Sequence, residues 1–452
     1  MANSQQETTR ILRRLLASGM TTRAERLLAR MRPADRGPLL SALTPQELRT
    51  VVDLLFAQHR AASTLSELPP ELLPQIFDAL GNERLAQILS RLELDDLVEF
   101  VEWLDPDRRE AIIELLPEET RAELRRAELY PPSSAGRVMT TRFVALERDM
   151  TAQEAIERIR AAGLSETESI LYLYVVDDKR HLLGVVPLRR LVAASPDRRC
   201  EELMVTEPVS VRADADQEEA AKLVARYNLL AIPVVDEEQR ILGVITVDDV
   251  IDVIQEEATE DMYLLAGLSE EDRVFSPAHH AIRKRLPWML VNLGAAFLGA
   301  WVIGLFERTI EQVVALAFFM PVVSGMGGNG GIQSLTVITR AIALGEIEFS
   351  SGLRAIAKEF GVALAIGLVT GAVSGVMAYL WQGNPVLGVV LFATMMATMA
   401  VAGMLGAAIP LVLKALGQDP AVGSGVFVTT LTDLFGFTAF LGIGTALLDR
   451  LV

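Results

Sequence analysis

The chain has 452 residues, a formal net charge of −17 and a mean hydropathy of +0.32. The residues before Ala281 carry about −18 of this charge, and those from Ala281 onward carry about +1. Nucleic-acid binding needs clustered positive charge, so an acidic soluble part argues against it. The single cysteine, Cys200, excludes internal disulfides and cysteine-based metal sites. No lysine follows a glycine, so the phosphate-binding loop of ATPases is absent.

Residues 1–131 are predicted to form an acidic helical domain. A leucine followed by proline or aspartate and then by acidic residues recurs at Leu43, Leu68, Leu104 and Leu115. Proline is tolerated in the first turn of a helix, and acidic side chains there interact favourably with the helix dipole. The motifs therefore predict a series of short helices, typical of a helical superhelix.

Residues 132–256 contain an internal duplication. The segment VVDDKRHLLGVVPLRRL from Val175 matches VVDEEQRILGVITVDDV from Val234, at a constant offset of 59. Upstream, VMTTRFVALERDMTAQEAI from Val138 matches LMVTEPVSVRADADQEEAA from Leu203. Each copy has the pattern strand, helix, strand, strand, helix. The duplication resembles a tandem pair of CBS domains, at 132–198 and 199–256, a regulatory module that often binds adenine nucleotides.

Residues 257–280 are predicted to form an acidic connecting helix, and residues 281–452 a transmembrane domain. Five apolar stretches there each reach the ~20 residues that a bilayer requires. They are 286–306, 312–344, 360–381, 386–414 and 421–447. Basic residues precede the first stretch, separate the second from the third and end the fourth. The positive-inside rule then predicts a multi-pass protein of the cell inner membrane, with its N-terminus cytoplasmic and its C-terminus outside.

Asp433 is the one carboxylate that the sequence places well inside an apolar stretch. An intramembrane aspartate costs roughly 2.5–3.5 kcal/mol on insertion scales and normally faces a bundle interior or a water-filled path. Helical spacing puts Thr429 and Thr430 on the same face. Carboxylate and hydroxyl oxygens suit a hard cation. The alternative is a protonated aspartate that donates a hydrogen bond to a neighbouring helix.

The second stretch contains PVVSGMGGNGGIQS, which is rich in helix-breaking residues from Pro321 onward. We expect it to break near its middle, because non-helical backbone at membrane depth is tolerated where it lines a cavity. Its carbonyls, including that of Gly328, and the side chains of Asn329 and Gln333 would then supply uncharged oxygen ligands. The alternative is close helix packing, which we expect for Gly367, Gly371 and Gly375 in the third stretch.

Dense acidic clusters occur in the soluble part, in the helical domain, in the second CBS copy and in the connecting helix. Such runs are usually solvated surfaces. Like charges nevertheless destabilise a closed assembly unless cations bridge them, so these clusters also fit a divalent-ion sensor. No Ser–His–Asp or paired-carboxylate pattern stands out, so the sequence does not predict an enzyme.

The order of these parts resembles the MgtE family of magnesium channels. The strongest matching motifs are PVVSGMGGNGGIQS from Pro321 and DPAVGSGVFVTTLTDLFG from Asp419. The resemblance implies a homodimer in the lipid bilayer with a central pore for divalent cations, and a cytoplasmic gate that binds Mg²⁺. The expected function is passive Mg²⁺ uptake, and ATP is a second expected ligand.

The resemblance also implies roles for individual residues. Asp433 matches the ion-binding aspartate of the pore, which Asn329, Gln333 and Gly328 would complete. The acids that match Mg²⁺-sensing positions are Asp95, Glu99, Asp216, Glu218, Asp249, Asp252, Glu257, Glu260 and Asp419. Thr246 and Asp249 match the Ser/Thr-x-x-Asp motif that holds a nucleotide ribose, whereas the first copy has Pro187 and Arg190 there.

Three positions depart from the family pattern. Ile332 and Gly425 stand where the family usually has asparagine, and Asn228 replaces an acid at one sensing site. The first two changes remove amide oxygens near Asp433, so one alternative is a channel for another divalent ion, Mn²⁺ or Co²⁺. An alternative of a different class is a non-conducting membrane sensor that signals through its CBS pair. An anion channel is disfavoured because the mid-span charge is negative.

Overall fold

The structure is a computed structural model that describes residues 2–57, 61–65, 68, 73–161, 172–268, 278–347 and 351–451. The chain divides into two compact units, Met1–Gln255 and Glu256–Val452. The predicted connecting segment therefore lies partly outside the described residues, since 269–277 are not among them.

The first unit begins with a helical domain built around one hydrophobic core, which extends from Leu12 to Ala127. Its helices are α1 (Ala2–Ala17), α2 (Thr21–Ala29), α3 (Pro33–Leu40), α4 (Pro45–Ala57), α5 (Ala62–Leu65), α6 (Leu73–Ala79), α7 (Asn82–Leu89), α8 (Leu94–Glu102), α9 (Pro106–Leu115) and α10 (Glu118–Ala127). Three of the four leucine motifs precede helix starts, at α4, α9 and α10. The motif at Leu68 continues into residues outside the described set.

The CBS part of the first unit repeats one pattern twice. Its strands are β1 (Ala145–Glu147), β2 (Tyr172–Val176), β3 (Leu182–Pro187), β4 (Val205–Thr206), β5 (Val211–Arg212), β6 (Ala231–Val235) and β7 (Ile241–Thr246). Its helices are α11 (Ala152–Ala161), α12 (Leu188–Ala193), α13 (Cys200–Leu203), α14 (Gln217–Tyr227) and α15 (Val247–Leu265), which continues into the second unit. The sheets have the orders β1-β2-β3-β4 and β5-β6-β7.

The two copies agree in detail. In each, a short strand pairs in parallel with a longer one, which pairs antiparallel with the next. The antiparallel register shifts between Val175 and Val176 in the first copy, and between Val234 and Val235 in the second. These positions differ by the offset of 59, so the predicted duplication and CBS fold are confirmed.

The second unit contains the membrane helices. They are α16 (Ala278–Gly304), α17 (Glu307–Gln312), α18 (Ala315–Ala343), α19 (Gly352–Gln382), α20 (Pro385–Ala415), α21 (Ser424–Ala446) and α22 (Leu448–Leu451). Among the described residues, α16, α18, α19, α20 and α21 are long and apolar enough to cross a bilayer. The five predicted spans are confirmed.

The predicted break in the second span is wrong, because α18 runs unbroken from Ala315 to Ala343 with Pro321 inside it. Its glycines instead allow close packing. A Cβ added at Gly327 would lie 2.7 Å from Cγ2 of Thr398, and one at Gly331 would collide with Val428. The alternative reading of this segment is therefore the correct one, and its carbonyls are not released by a broken helix.

Helices α19 and α20 also approach closely through small residues, as expected for Gly367, Gly371 and Gly375. All three are buried, and a Cβ at Gly375 would lie 2.6 Å from the carbonyl oxygen of Gly388. Because α19 begins at Gly352 rather than near residue 360, it also includes Glu359. Asp433 is therefore not the sole buried carboxylate of the spans: Glu359 is 6% exposed and accepts a hydrogen bond from Ser334 at 2.9 Å.

Candidate ion site and regulatory acids

Asp433 lies near the middle of α21 and is partly buried. Its Oδ1 accepts a hydrogen bond from Oγ of Ser324 in α18, at 2.6 Å. The two helices approach closely here: a Cβ at Gly328 would lie 3.6 Å from Cγ2 of Thr429. The carboxylate is thus held between two membrane helices. Ser324 was not among the predicted site residues, because its contact with Asp433 joins two distant parts of the sequence.

Asp433 borders a cavity of 320 Å³ between α16 and α21. Its polar lining consists of Asn292, Thr429, Thr430 and Asp433, and the rest is Ala295, Ala296, Gly299, Ala300, Ile303, Leu434 and Phe437. At about 30 Å³ for each liquid water molecule, this volume corresponds to roughly ten waters. Mg²⁺ keeps several of its waters when it binds, so the cavity is large enough for a partly hydrated ion.

The threonines beside Asp433 use their hydroxyl protons within α21. Oγ1 of Thr429 donates to the carbonyl of Gly425 at 2.9 Å, and Oγ1 of Thr430 donates to that of Val426 at 2.7 Å. Their oxygen lone pairs therefore remain the groups with which they would face water or an ion. The expected shared face of Thr429, Thr430 and Asp433 is what the cavity lining displays.

Asn292 is a lining residue that the sequence reasoning missed. It is the one amide or charged side chain between Arg285 and Gly304 in an otherwise apolar first span. Polar side chains in spans normally face a bundle interior or a water-filled cavity. The isolated asparagine therefore predicts a residue that lines a cavity, and in the structure it lines the cavity that Asp433 borders.

The other predicted pore residues lie on α18 and do not line this cavity. Gly328 is buried, whereas Asn329 and Gln333 are exposed on the surface of the single chain. Thr336 and Arg340 are exposed on the same helix. The spacing of four, three and four residues puts these side chains on one face of α18. That face is polar, although α18 is long and apolar enough to cross a bilayer.

In the first unit, Asp95 of α8 and Asp249 of α15 are close enough to interact electrostatically. Burial, then the negative charges of Asp249, Asp96 and Glu93, raises the pKa of Asp95 well above its usual range. Oδ1 of Asp95 is buried and has no hydrogen-bond partner among the described atoms. Glu93 is a further member of this acidic cluster that the sequence analysis did not select.

Asp249 is perturbed in the same direction. Burial raises its pKa to about 6, while hydrogen bonds from the Thr246 hydroxyl and backbone N–H, at 2.5 and 3.2 Å, oppose the shift. The charges of Asp248 and Glu93 raise it further. Thr246 and Asp249, the predicted nucleotide-binding residues, are thus hydrogen-bonded to each other.

The remaining predicted acids occupy separate positions. Burial and then the charge of Asp248 raise the pKa of Asp252. Asp216 caps α14 by accepting from the N–H of Glu218 at 2.8 Å, and Glu218 pairs with Lys222 at 2.6 Å.

Asn228, the departure at a sensing position, ends α14 with a φ of 50°. Asparagine tolerates this left-handed conformation better than most residues, which gives it a local structural role.

Of the predicted sensing acids, Glu257, Glu260 and Asp419 lie in the second unit. Glu257 and Glu260 are partly buried in α15, and Glu99, in α8 of the first unit, is exposed. Asp419 accepts from the N–H of Ala421 at 2.6 Å, in the turn before α21. A Cβ at Gly425 would lie 2.7 Å from the carbonyl oxygen of Leu265, so the end of α15 lies beside the start of α21. Within the described ranges, no three His, Cys, Asp or Glu side chains converge as a metal site.

The fold and these sites define a multi-pass membrane protein with a helical domain and a CBS pair. Family models match each part: the MgtE intracellular N domain at 31–133, the CBS domain at 135–197 and 200–256, and the MgtE divalent cation transporter at 320–443. The chain belongs to the MgtE family. The predicted family and the prediction of a transporter rather than an enzyme are confirmed.

Similar proteins cover almost the whole chain. "Magnesium transporter MgtE" of Thermus thermophilus is 37% identical over 97% of this chain and 98% of its own length. The protein of the same name from Bacillus subtilis is 33% identical over 92% of this chain and 95% of its own length.

A solved structure of the cytosolic domain of the Mg²⁺ channel MgtE in complex with ATP is 39% identical to this chain. It has a TM-score of 0.51 and covers 54% of this chain and 98% of that one. The soluble part of a magnesium transporter has a TM-score of 0.53 at 26% identity, and covers 56% of this chain and 99% of that one.

Proposed function

We propose that this protein carries Mg²⁺ passively across the inner membrane, and that Asp433 binds the ion. The observation that carries the proposal is the carboxylate of Asp433, which is fixed by Ser324 and borders a cavity whose other polar residues are Asn292, Thr429 and Thr430. An acid placed at this depth costs free energy, which an ion-binding role explains. The magnesium transporters to which the chain is similar support the choice of ion.

The membrane potential suffices to drive uptake. Moving two positive charges inward gains about 4.6 kcal/mol at 100 mV, from ~2.3 kcal/mol per charge. Basic residues near one side of the spans, Arg283 to Arg285, Arg354 and Lys358, support an orientation with the N-terminus in the cytoplasm and the C-terminus outside.

The polar face of α18 supports a homodimeric pore. Asn329 and Gln333 are exposed in the single chain, although lipid cannot satisfy the hydrogen bonds of their amide groups. A second copy or a water-filled path must therefore face them, and a pore between two copies supplies both. In a Cys200→Ser background, Gln333→Cys should form an intermolecular cross-link with a short bifunctional maleimide, whereas Val369→Cys on the exposed, apolar side of α19 should not. Equal cross-linking at both positions would refute this arrangement.

The transport test compares Mg²⁺ influx into proteoliposomes with an inside-negative potential. Asp433→Asn keeps the shape of the side chain and removes its charge, so we expect it to abolish influx. Asp449→Asn in α22 removes one negative charge outside the spans and should leave influx near the wild-type rate. A folded wild-type protein that moves no Mg²⁺ would overturn the proposal. Influx of Mn²⁺ or Co²⁺ instead would favour a channel for those ions. The absence of influx for all three ions would favour a non-conducting sensor.

We further propose that the acids of the first unit form a Mg²⁺-dependent gate. Asp95 and Asp249 are partly buried and interact electrostatically, and their raised pKa values reflect this burial together with unfavourable charge around them. A divalent cation with oxygen ligands would remove this repulsion and hold the helical domain against the second CBS copy. When cytosolic Mg²⁺ falls, the repulsion would loosen the contact and open the pore.

Limited proteolysis of the full chain tests the gate. Mg²⁺ should protect the wild-type protein, and Asp95→Asn should need a higher Mg²⁺ concentration for equal protection. Asp107→Asn, an exposed acid of the same domain, is the matched control and should respond as the wild type does. Identical Mg²⁺ dependence in all three proteins would contradict the gate.

ATP binding at the second CBS copy is a further proposal. Thr246 and Asp249 are joined by hydrogen bonds and together present the hydroxyl and carboxylate groups that suit a ribose. The similar structure that contains ATP supports this choice of ligand. Calorimetry with ATP should give binding that Thr246→Val removes, while Thr151→Val in the first copy keeps it. Binding that survives Thr246→Val would contradict this site.

A further inference from the structure

Ser324 differs from most hydroxyl residues of the membrane helices. Threonine hydroxyls in spans commonly donate to the carbonyl four residues earlier in their own helix. Thr336, Thr370 and Thr438 do so at distances of 2.7–2.9 Å. Oγ of Ser324 donates instead from α18 to a carboxylate of α21. Its proton is therefore committed to the one group that we propose binds the ion.

The contact leaves Asp433 with one fixed and one available oxygen. Oδ1 accepts the Ser324 proton at 2.6 Å, a distance typical of a strong hydrogen bond between a hydroxyl and a carboxylate. Among the described residues, Oδ2 accepts no hydrogen bond, while the side chain borders the cavity. With Oδ1 held, the carboxylate has one preferred orientation, so binding an ion requires less ordering of its ligand.

We propose that Ser324 is a positioning residue, which holds the Asp433 carboxylate in the orientation that binds Mg²⁺. This inference rests on the proposed role of Asp433 as the ion ligand. Ser324 does not itself need to touch the ion, because its proton is directed at Oδ1. Losing a hydrogen bond to a charged group weakens an interaction by roughly tenfold. We therefore expect a change in apparent Mg²⁺ affinity, not a loss of the pore.

The test measures Mg²⁺ influx into proteoliposomes as a function of Mg²⁺ concentration. Ser324→Ala should raise the half-maximal concentration about tenfold while the maximal influx falls less than twofold. Ser324→Thr keeps the hydroxyl and should stay within twofold of the wild type. Ser324→Val has nearly the shape of threonine without the hydroxyl, so it should behave as the alanine variant does. Thr370→Ala removes a hydroxyl that donates within its own helix, α19, outside the proposed ion path, and should change neither quantity.

Each outcome separates positioning from a structural role. Should threonine and valine shift the half-maximal concentration equally, side-chain volume and not the hydrogen bond would be responsible, and the inference would be overturned. An unchanged half-maximal concentration in both alanine and valine variants would overturn it as well. If Ser324→Ala does not fold, the threonine and valine pair decides alone. Mg²⁺ influx that persists in Asp433→Asn would overturn the proposed function itself. Loss of influx in Asp433→Asn, together with wild-type behaviour of Ser324→Val, would overturn this inference alone.

Discussion

The close packing of α18 against α20 gives a quantitative prediction for three glycine-to-alanine changes. A Cβ at Gly406 would collide with the carbonyl oxygen of Gly331 and lie 3.0 Å from Cβ of Ser334. A Cβ at Gly330 would lie 2.7 Å from Cε of Met399, the end of a flexible side chain. A Cβ at Gly361, in α19, would meet nothing within 4 Å.

The expected effects follow from two opposing contributions. Alanine in a helix interior is more favourable than glycine by roughly 0.5–1 kcal/mol. Overpacking a core costs about 1–3 kcal/mol, and more where the obstacle is backbone. Gly361→Ala should therefore be neutral or stabilising, and Gly330→Ala close to neutral because Met399 can move. Gly406→Ala should destabilise by about 1–3 kcal/mol, since neither helix backbone can yield without separating α18 from α20.

Thermal unfolding in detergent, followed by the loss of the folded peak in size-exclusion chromatography, measures this order. We expect the Tm of Gly406→Ala to fall several degrees below that of the wild type, with Gly361→Ala at or above it. A Tm for Gly406→Ala equal to that for Gly361→Ala would refute the close-packed interpretation. A larger loss in Gly330→Ala than in Gly406→Ala would do the same, because it would reverse the order of the obstacles.

Three further predictions concern other parts of the chain. The pKa of Asp249 is about 6 in the folded state, compared with about 3.9 in an unfolded chain. The folded state therefore binds the proton more tightly, and without Mg²⁺ the free energy of unfolding should rise by roughly 1.4 kcal/mol from pH 7.5 to pH 5. Stabilisation by Mg²⁺ should shrink over the same range, and an unaltered pH dependence of Tm in Asp249→Asn would contradict this. Ser334→Ala should cost about 1–3 kcal/mol, because it leaves buried Glu359 without its serine donor; an unchanged Tm would argue against that contact. Asn292→Leu should slow Mg²⁺ influx by roughly three- to tenfold while Leu293→Ala does not, and equal rates would exclude Asn292 from the ion path.

Local patterns in the sequence predicted much of the fold. The duplication could be predicted because the offset of 59 residues aligns whole strands and turns. In the structure, β6 and β7 repeat β2 and β3 at that spacing. The helix starts at Pro45 and Pro106 could be predicted because proline and acidic residues favour the first turn of a helix, which is a local effect. The spans were readable from apolar length alone.

The features that were missed depend on contacts between distant residues. The glycines after Pro321 are compatible with a broken helix or with close packing, and the choice depends on Thr398 and Val428 in other helices. Similarly, the contact between Ser324 and Asp433 joins residues 109 apart in the chain. The acid cluster of Asp95 and Asp249 was expected from family resemblance, but the burial that raises both pKa values came from the structure.

The uneven packing of the membrane helices has a mechanical consequence. Where glycines let α20 meet α18 and α19 backbone to backbone, the helices are tightly packed, and such interiors resist compression. By contrast, 6% of the residues in the most apolar segment of α16 are buried within the chain, compared with 61% in that of α20. A displacement of the membrane domain should therefore concentrate at α16, with the other three helices moving as one stiff block. The first span is thus the place where we expect elastic compliance, and spin labels on α16 should report larger changes in distance than labels on α19.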